Sequence, residues 1–307
     1  MNKELRKHYL ETGTYTYAGQ YQDYFKSLPN EIEELGRLIC SQVIHRVTLR
    51  EGNTNANKDM IYGDMNRFPW HRMRCEDDIL LTATAMTAEL FRMDERGFTL
   101  DRRVEDKIVV CCRYVSVLMS AILKAKGIPC RSRAGFAPYF HQGESWDHWI
   151  NQYWDNRQER WISIDADGFY DQKELGFDPY DIPDDRFDWA AVTWLAIRNG
   201  EQEGSRFIYA DGQRTNSLKA VIRYLFYDFH ALMNNELTFS FQPSFIDHKF
   251  DLLTETDLSE IDNLAKMMLD VDKNYQELVQ LWNTKNKYRI INSPLVGDWD
   301  NSFVNIK

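Results

Sequence analysis

The chain has 307 residues, enough to bury a sizeable core as one large domain or two small ones. With 43% hydrophobic and 27% charged residues it has an ordinary globular composition, and a net charge of −10 with no Lys/Arg run excludes a phosphate-backbone footprint. No stretch approaches the roughly 20 apolar residues of a membrane span, the start MNKELRKHYLETG lacks the apolar middle of a signal peptide, and the cysteines have no framework spacing, so reduced thiols in a cytoplasmic protein are expected.

Residues 1–28 are aromatic and polar without a clear period and are expected to form an arm packed on the body. Asn30 with Glu33 makes a capping-box pair, and Ile32, Leu35, Leu38, Ile39, Val43 and Ile44 follow helical spacing, which predicts a helix over 31–47. The Asn-, Gly- and Asp-rich run 51–68 predicts a loop. A second helix is predicted over 76–96, with Gly97 where a C-terminal glycine belongs.

Val115, Leu118, Met119, Ile122 and Leu123 then recur three and four apart, predicting a helix over 112–125 with one buried stripe, stopped by Gly127 and Pro129. Strands are predicted at 130–139, 148–154 and 160–165, the last two joined through the turn-forming run Asp155-Asn156-Arg157-Gln158. Beyond Asp165 the pattern is loop-like. Helical spacing resumes at 186–197 and 217–234, and Asp257 with Glu260 suggests the cap of the first of two C-terminal helices.

The chemistry sits at the start of the 112–125 helix. A thiol becomes a good nucleophile as the thiolate, and a helix N-terminus lowers its pKa, so Cys112 stands where the effect is largest and is expected to be largely thiolate near neutral pH. A histidine must reach the sulfur and an acceptor must fix the ring's tautomer, roles open to His148 and Asp165. A hairpin turn centred on Asn156 and Arg157 sets His148 directly opposite Asp165 on one face of the sheet.

Taken singly, each residue has a plainer reading: Cys112 a small core residue, His148 a satisfied core histidine, Asp165 a turn aspartate before Asp167-Gly168. Cys40, Cys75, Cys111 and Cys130 read as structural. His8, His45, His71, His141, His230 and His248 form no ligand spacing with the thiols, so neither metal nor cofactor is expected. Arg113, Arg131 and Arg133 either hold a substrate carboxylate or are solvated. Trp146, Trp149, Trp154 and Trp161 either wall a peptide groove or pack the hairpin, and Asp184, Asp185 and Asp188 read as a solvated helix start.

Together, Cys112 with its helix, GIPCR at 127–131, DHW at 147–149 and WISID at 161–165 resemble the transglutaminase-like superfamily, in particular its uncharacterised bacterial members. The resemblance extends to YDFHALMNNEL at 227–237 and to the aromatic arm. It implies an α+β, papain-like core with a cysteine-bearing helix packed on an antiparallel sheet, and it carries the nucleophile onto Cys112, the base onto His148 and the orienting carboxylate onto Asp165. The chain departs from the family pattern at Cys111, at Tyr114 and in having Trp149 directly after the histidine.

One integrated domain is expected over 1–307, with a helical part to residue 100, the catalytic core at 101–170 and a mainly helical part at 171–307. The expected activity is cysteine-dependent acyl transfer on a protein, peptide or small amide, as hydrolase, peptidase or crosslinking enzyme. The alternatives are a catalytically inactive binding scaffold and, against the missing ligand spacing, a metal-dependent hydrolase. No nucleic-acid or membrane partner is expected.

Overall fold

The computed structural model describes residues 1–46, 68–72, 74–167, 175–210, 213–247 and 249–290, together with the backbone of 295–296 and 303–304. The predicted loop over 51–68 lies outside the described residues except for Phe68, and so does Gly168. The protein is an α+β structure of helices around a mixed but mainly antiparallel sheet.

The N-terminal arm is partly helical: α1 spans Lys3–Leu10 and α2 spans Gln22–Ser27, with Tyr9 and Phe25 fully buried. The predicted 31–47 helix is shorter than its periodicity suggests. Helix α3 covers Ile32–Cys40, with Glu31 rather than Asn30 at its N-cap, and the chain then turns into strand β1, Val43–His45. Val43 and Ile44 fit helical spacing, yet they are β-branched and pair in parallel with Ile108 and Val109 of β2, Ile108–Val110.

Helix α4 is likewise shorter than 76–96, running Ala83–Met93 from a Thr82 cap. Glu76 is held outside it because its carboxylate accepts from the Val109 N–H (2.7 Å) and pairs with Arg72.

Helix α5, Cys112–Ala125, has the predicted bounds and occupies the centre of the molecule. All its residues are buried, where one stripe was expected, because α2, α3 and α4 cover one side while the sheet covers the other. Its two long charged residues are satisfied inside: Arg113 donates to the Glu236, Leu237 and Leu81 carbonyls, and Lys124 to Asn234. The helix ends in a Schellman motif, with Gly127 at φ 78° donating to the Lys124 carbonyl and Ile128 to that of Leu123.

The main sheet has the order β5-β4-β3-β6, formed by β3 (Cys130–His141), β4 (Glu144–Asp155), β5 (Arg160–Ile164) and β6 (Asp188–Trp189). Helix α6, Ala190–Arg198, follows, and β7, Phe207–Ile208, then pairs in parallel with Ser145 and Trp146 of β4. β5 pairs with β4 only over Asn151–Asp155, so Asp147–Ile150 lies in the gap between β5 and β7.

Helix α7, Ser217–Leu232, packs on β3 and α6 and anchors a second core with α8, Glu255–Met268, and α9, Tyr275–Thr284. The capping box of α8 is Thr254 with Asp257, three residues before the expected pair. Beyond α9, β8 (Leu295–Val296) pairs antiparallel with β9 (Phe303–Val304).

Candidate functional site

The site forms where α5 begins against the gap in β4. Cys111 is the extended N-cap residue, and its carbonyl accepts from Tyr114 N–H (2.9 Å), so Cys112 is the first helical residue. Its sulfur accepts from the Trp149 backbone N–H, which brings it to the strand position next to His148.

His148 and Asp165 meet as a buried pair, Nε2 to Oδ2, at 2.9 Å. The same carboxylate oxygen accepts from the Tyr139 hydroxyl at 2.8 Å, and Phe140 stands edge-on to the imidazole. The hairpin register behind this pair differs from the expected one by two residues. Asp155 pairs with Arg160, so the turn is Asn156–Glu159 and its centre falls between Arg157 and Gln158. Asp155 accepts from the Arg157 and Gln158 N–H groups, and Glu159 takes a positive φ of 52°.

A slip of two leaves every side chain on its original face, so His148 and Asp165 still meet, diagonally rather than directly opposed. Across β3, His148 is opposite Gly135, where an added Cβ would collide with the Asp188 carbonyl and the Phe187 ring.

Two residues that spacing did not single out complete the site. The parallel register of β1 with β2 sets His45 beside Val110, two residues before Cys112. Asp167 follows β5, its N–H donating to Asp165 Oδ1 at 3.2 Å. His45 Nε2 and Asp167 Oδ2 are 3.6 Å apart, and one ligand atom from each of His45, Cys112 and Asp167 lies within 4.8 Å of the others. Asp147 is also close, its carboxylate accepting from the Tyr224 hydroxyl and from the Ala210 N–H (2.7 Å).

Burial governs the electrostatics. It pushes the Cys112 thiol up, and the hydrogen bonds from Cys111 and Trp149 oppose that only in part. The expected resting thiolate is therefore corrected: at 5% exposure, desolvation of the anion outweighs the helix N-terminus. For His148, burial pulls downward, but the charge and hydrogen bond of Asp165 prevail and raise its pKa. Burial, with Asp165 adding to it, lifts Asp167 to about 7. Burial and the Arg46 charge depress His45 to about 3, so at neutral pH its contact with Asp167 is not an ion pair.

Residues 103–166 match the sequence model of the Transglutaminase-like superfamily. The chain carries a transglutaminase-like domain. No curated protein and no solved structure matches the chain. The transglutaminase-like stretch contains Cys112, His148 and Asp165, whereas His45 and Asp167 lie outside it. A signal for His45 was nonetheless present: Val43-Ile44 is a β-branched pair that, read as a strand, ends on it.

Among the other candidates, Arg131, Arg133, Trp149 and Trp161 have partners inside the fold. Arg131 bonds Gln152 and Asp272, and Arg133 forms a buried pair with Asp228 (2.8 Å), so neither is a solvated arginine nor a free carboxylate clamp. Trp149 is buried against Tyr227, and Trp161 donates to Asp272 while Arg131 stacks on its ring. Asp184 and Asp185 are exposed in a single 3₁₀ turn, as expected of a solvated helix start, and Asp188 accepts from Ser145. Among the described residues no helix is long and apolar enough to cross a membrane.

Proposed function

We propose that the protein is a cysteine-dependent acyl-transfer enzyme in which Cys112 attacks an amide or ester carbonyl. The observation that carries this reading is the buried His148–Asp165 hydrogen bond, made beside the strand position whose N–H meets the Cys112 sulfur. Because the thiol rests protonated, His148 acts as a general base that takes the thiol proton during attack and then returns it to the leaving amine. Nε2 is engaged by Asp165, which leaves Nδ1 for that exchange and stabilises the imidazolium once it forms. The Cys112 N–H, at the free N-terminal end of α5, serves as one oxyanion donor.

The acyl-enzyme then passes to water or to an amine, which makes the protein an amide hydrolase, a peptidase or a crosslinking enzyme. The substrate is a protein, a peptide or a small amide. A second reading, a transglutaminase-like scaffold without catalysis, draws on the burial of Cys112, which is only 5% exposed.

The test is labelling with a library of electrophilic amides followed by mass mapping of the modified residue. Modification at Cys112, absent in Cys112→Ala and slowed in His148→Ala, is expected. An unmodified Cys112 in the folded protein would leave the scaffold reading.

A further inference from the structure

Beside the sulfur lie two side chains for which acyl transfer has no use, His45 and Asp167. His45, Cys112 and Asp167 are all buried, and one donor atom from each falls within 4.8 Å of the other two. They come from three separate segments: the end of β1, the start of α5 and the turn after β5.

Asp167 Oδ2 is buried without a hydrogen-bond partner, although it faces His45 Nε2 at 3.6 Å. An orphaned buried carboxylate oxygen is costly unless something occupies the space it faces. His148 Nε2 is bonded to Asp165, and no hydrogen bond joins His148 to Asp167 Oδ2.

We propose that His45, Cys112 and Asp167 form a three-ligand site for a zinc-class divalent ion. Donors on a tetrahedral ion at about 2.0–2.3 Å stand roughly 3.3–3.8 Å from one another. The His45–Asp167 spacing of 3.6 Å already fits, and the sulfur, within 4.8 Å of both, has to close by no more than about 1 Å. One imidazole nitrogen, one sulfur and one carboxylate oxygen suit zinc and its borderline-soft neighbours, whereas magnesium and calcium take oxygen sets.

Binding forms a metal–sulfur bond and breaks the S–H bond, releasing that proton to solvent, and no electrons are transferred. Three protein ligands leave the fourth position to water. The bound ion takes the sulfur's lone pair out of reach of a carbonyl and so holds the site off. This consequence, though not the binding, rests on Cys112 being the nucleophile.

The experiment is a Co²⁺ titration of the full chain after treatment with a chelator, followed by absorption. A thiolate-to-cobalt charge-transfer band is expected, with the visible bands of four-coordinate cobalt, saturating at one ion per chain and displaced by Zn²⁺. Cys112→Ser should lose the charge-transfer band. Even partners behind a metal ligand are worth roughly 10- to 100-fold in affinity, so His45→Gln and Asp167→Asn should each weaken cobalt binding by about 100-fold or more. His148→Gln should leave cobalt binding unchanged.

A folded wild-type protein with no charge-transfer band, or a band indifferent to both His45→Gln and Asp167→Asn, overturns the site. If one of these variants fails to fold, the other and the wild-type titration decide. Iodoacetamide labelling of the metal-free protein separates the two readings. Cobalt bound through sulfur with an unreactive metal-free Cys112 keeps the metal site and removes the enzyme. A reactive Cys112 with no cobalt–sulfur band does the reverse.

Discussion

Two histidines, each fully enclosed, separate the region around Cys112 from the helical layer around α7. In the layer, His230 Nε2 donates to the Tyr288 carbonyl (2.8 Å) and Nδ1 meets the Asn235 amide (3.1 Å), and burial lowers its pKa to about 4. At the site, His148 is just as enclosed, yet Asp165 reverses the effect of burial and the pKa rises. Burial alone therefore does not mark a functional histidine. The charge of its partner sets the direction of the shift.

Unpartnered polar atoms, by comparison, do not separate the two regions. In the helical layer the Asp228 carboxylate accepts from Nε and Nη2 of Arg133 and from the Ala134 N–H. At the site Asp167 Oδ2 and the indole nitrogen of Trp149 are left without partners. The layer holds such atoms too: Arg223 Nε on α7 and both carboxylate oxygens of Glu236 just beyond it are buried without partners.

Substitutions should accordingly divide into those that stop chemistry and those that weaken the fold. The largest effect is expected from Cys112→Ala, which removes the bond-making atom: turnover and electrophile labelling vanish while the thermal midpoint stays near that of the parent. A folded alanine variant that still turns over would erase the distinction between the regions. His148→Ala comes next, with turnover falling roughly 10²- to 10⁴-fold.

Asp165→Asn sharpens the comparison directly. Without the carboxylate charge, His148 should behave as His230 does, its pKa dropping below the ordinary histidine value as turnover falls. An imidazole NMR titration reads that pKa, and an unchanged value would show that another group holds the ring's charge.

In the layer, Asp228→Ala leaves Arg133 buried and uncompensated and should cost about 3–5 kcal/mol in denaturant unfolding. Labelling of Cys112 in the molecules that remain folded should be unaltered.

The pH response of the layer follows from His230, whose folded pKa lies below its unfolded one, so the native state binds fewer protons. Its contribution is fully present above about 6.5 and is lost as pH falls from there through about 4, a total on the order of 3 kcal/mol. Unfolding of His230→Leu compared with the parent across that window should show the shallower slope in the variant. Equal slopes would mean that His230 is not held neutral.

The smallest effect compares the neighbouring thiols. Burial raises both, and Cys111 is pushed well above its ordinary value. Iodoacetamide should favour Cys112, and the preference should shrink in His148→Ala.

The amino-acid sequence by itself determined the helix that presents Cys112, its stop at Gly127, the three strands after it and the order of cysteine, histidine and aspartate. These are properties of local periodicity and turn chemistry, which neighbouring residues carry. Side-chain parity was legible for the same reason, and it kept His148 and Asp165 on one face even though the turn holds Glu159 and shifts the register by two. The tertiary structure alone decided where His45 goes. Its stretch scans as helix, and only the long-range parallel pairing with β2 turns it into a strand that ends at the sulfur. Asp167 reads as a turn residue before Gly168, and only the fold buries it beside His45. The protonation of Cys112 was likewise out of reach, because a helix N-terminus is written in the chain whereas desolvation depends on everything that packs around it.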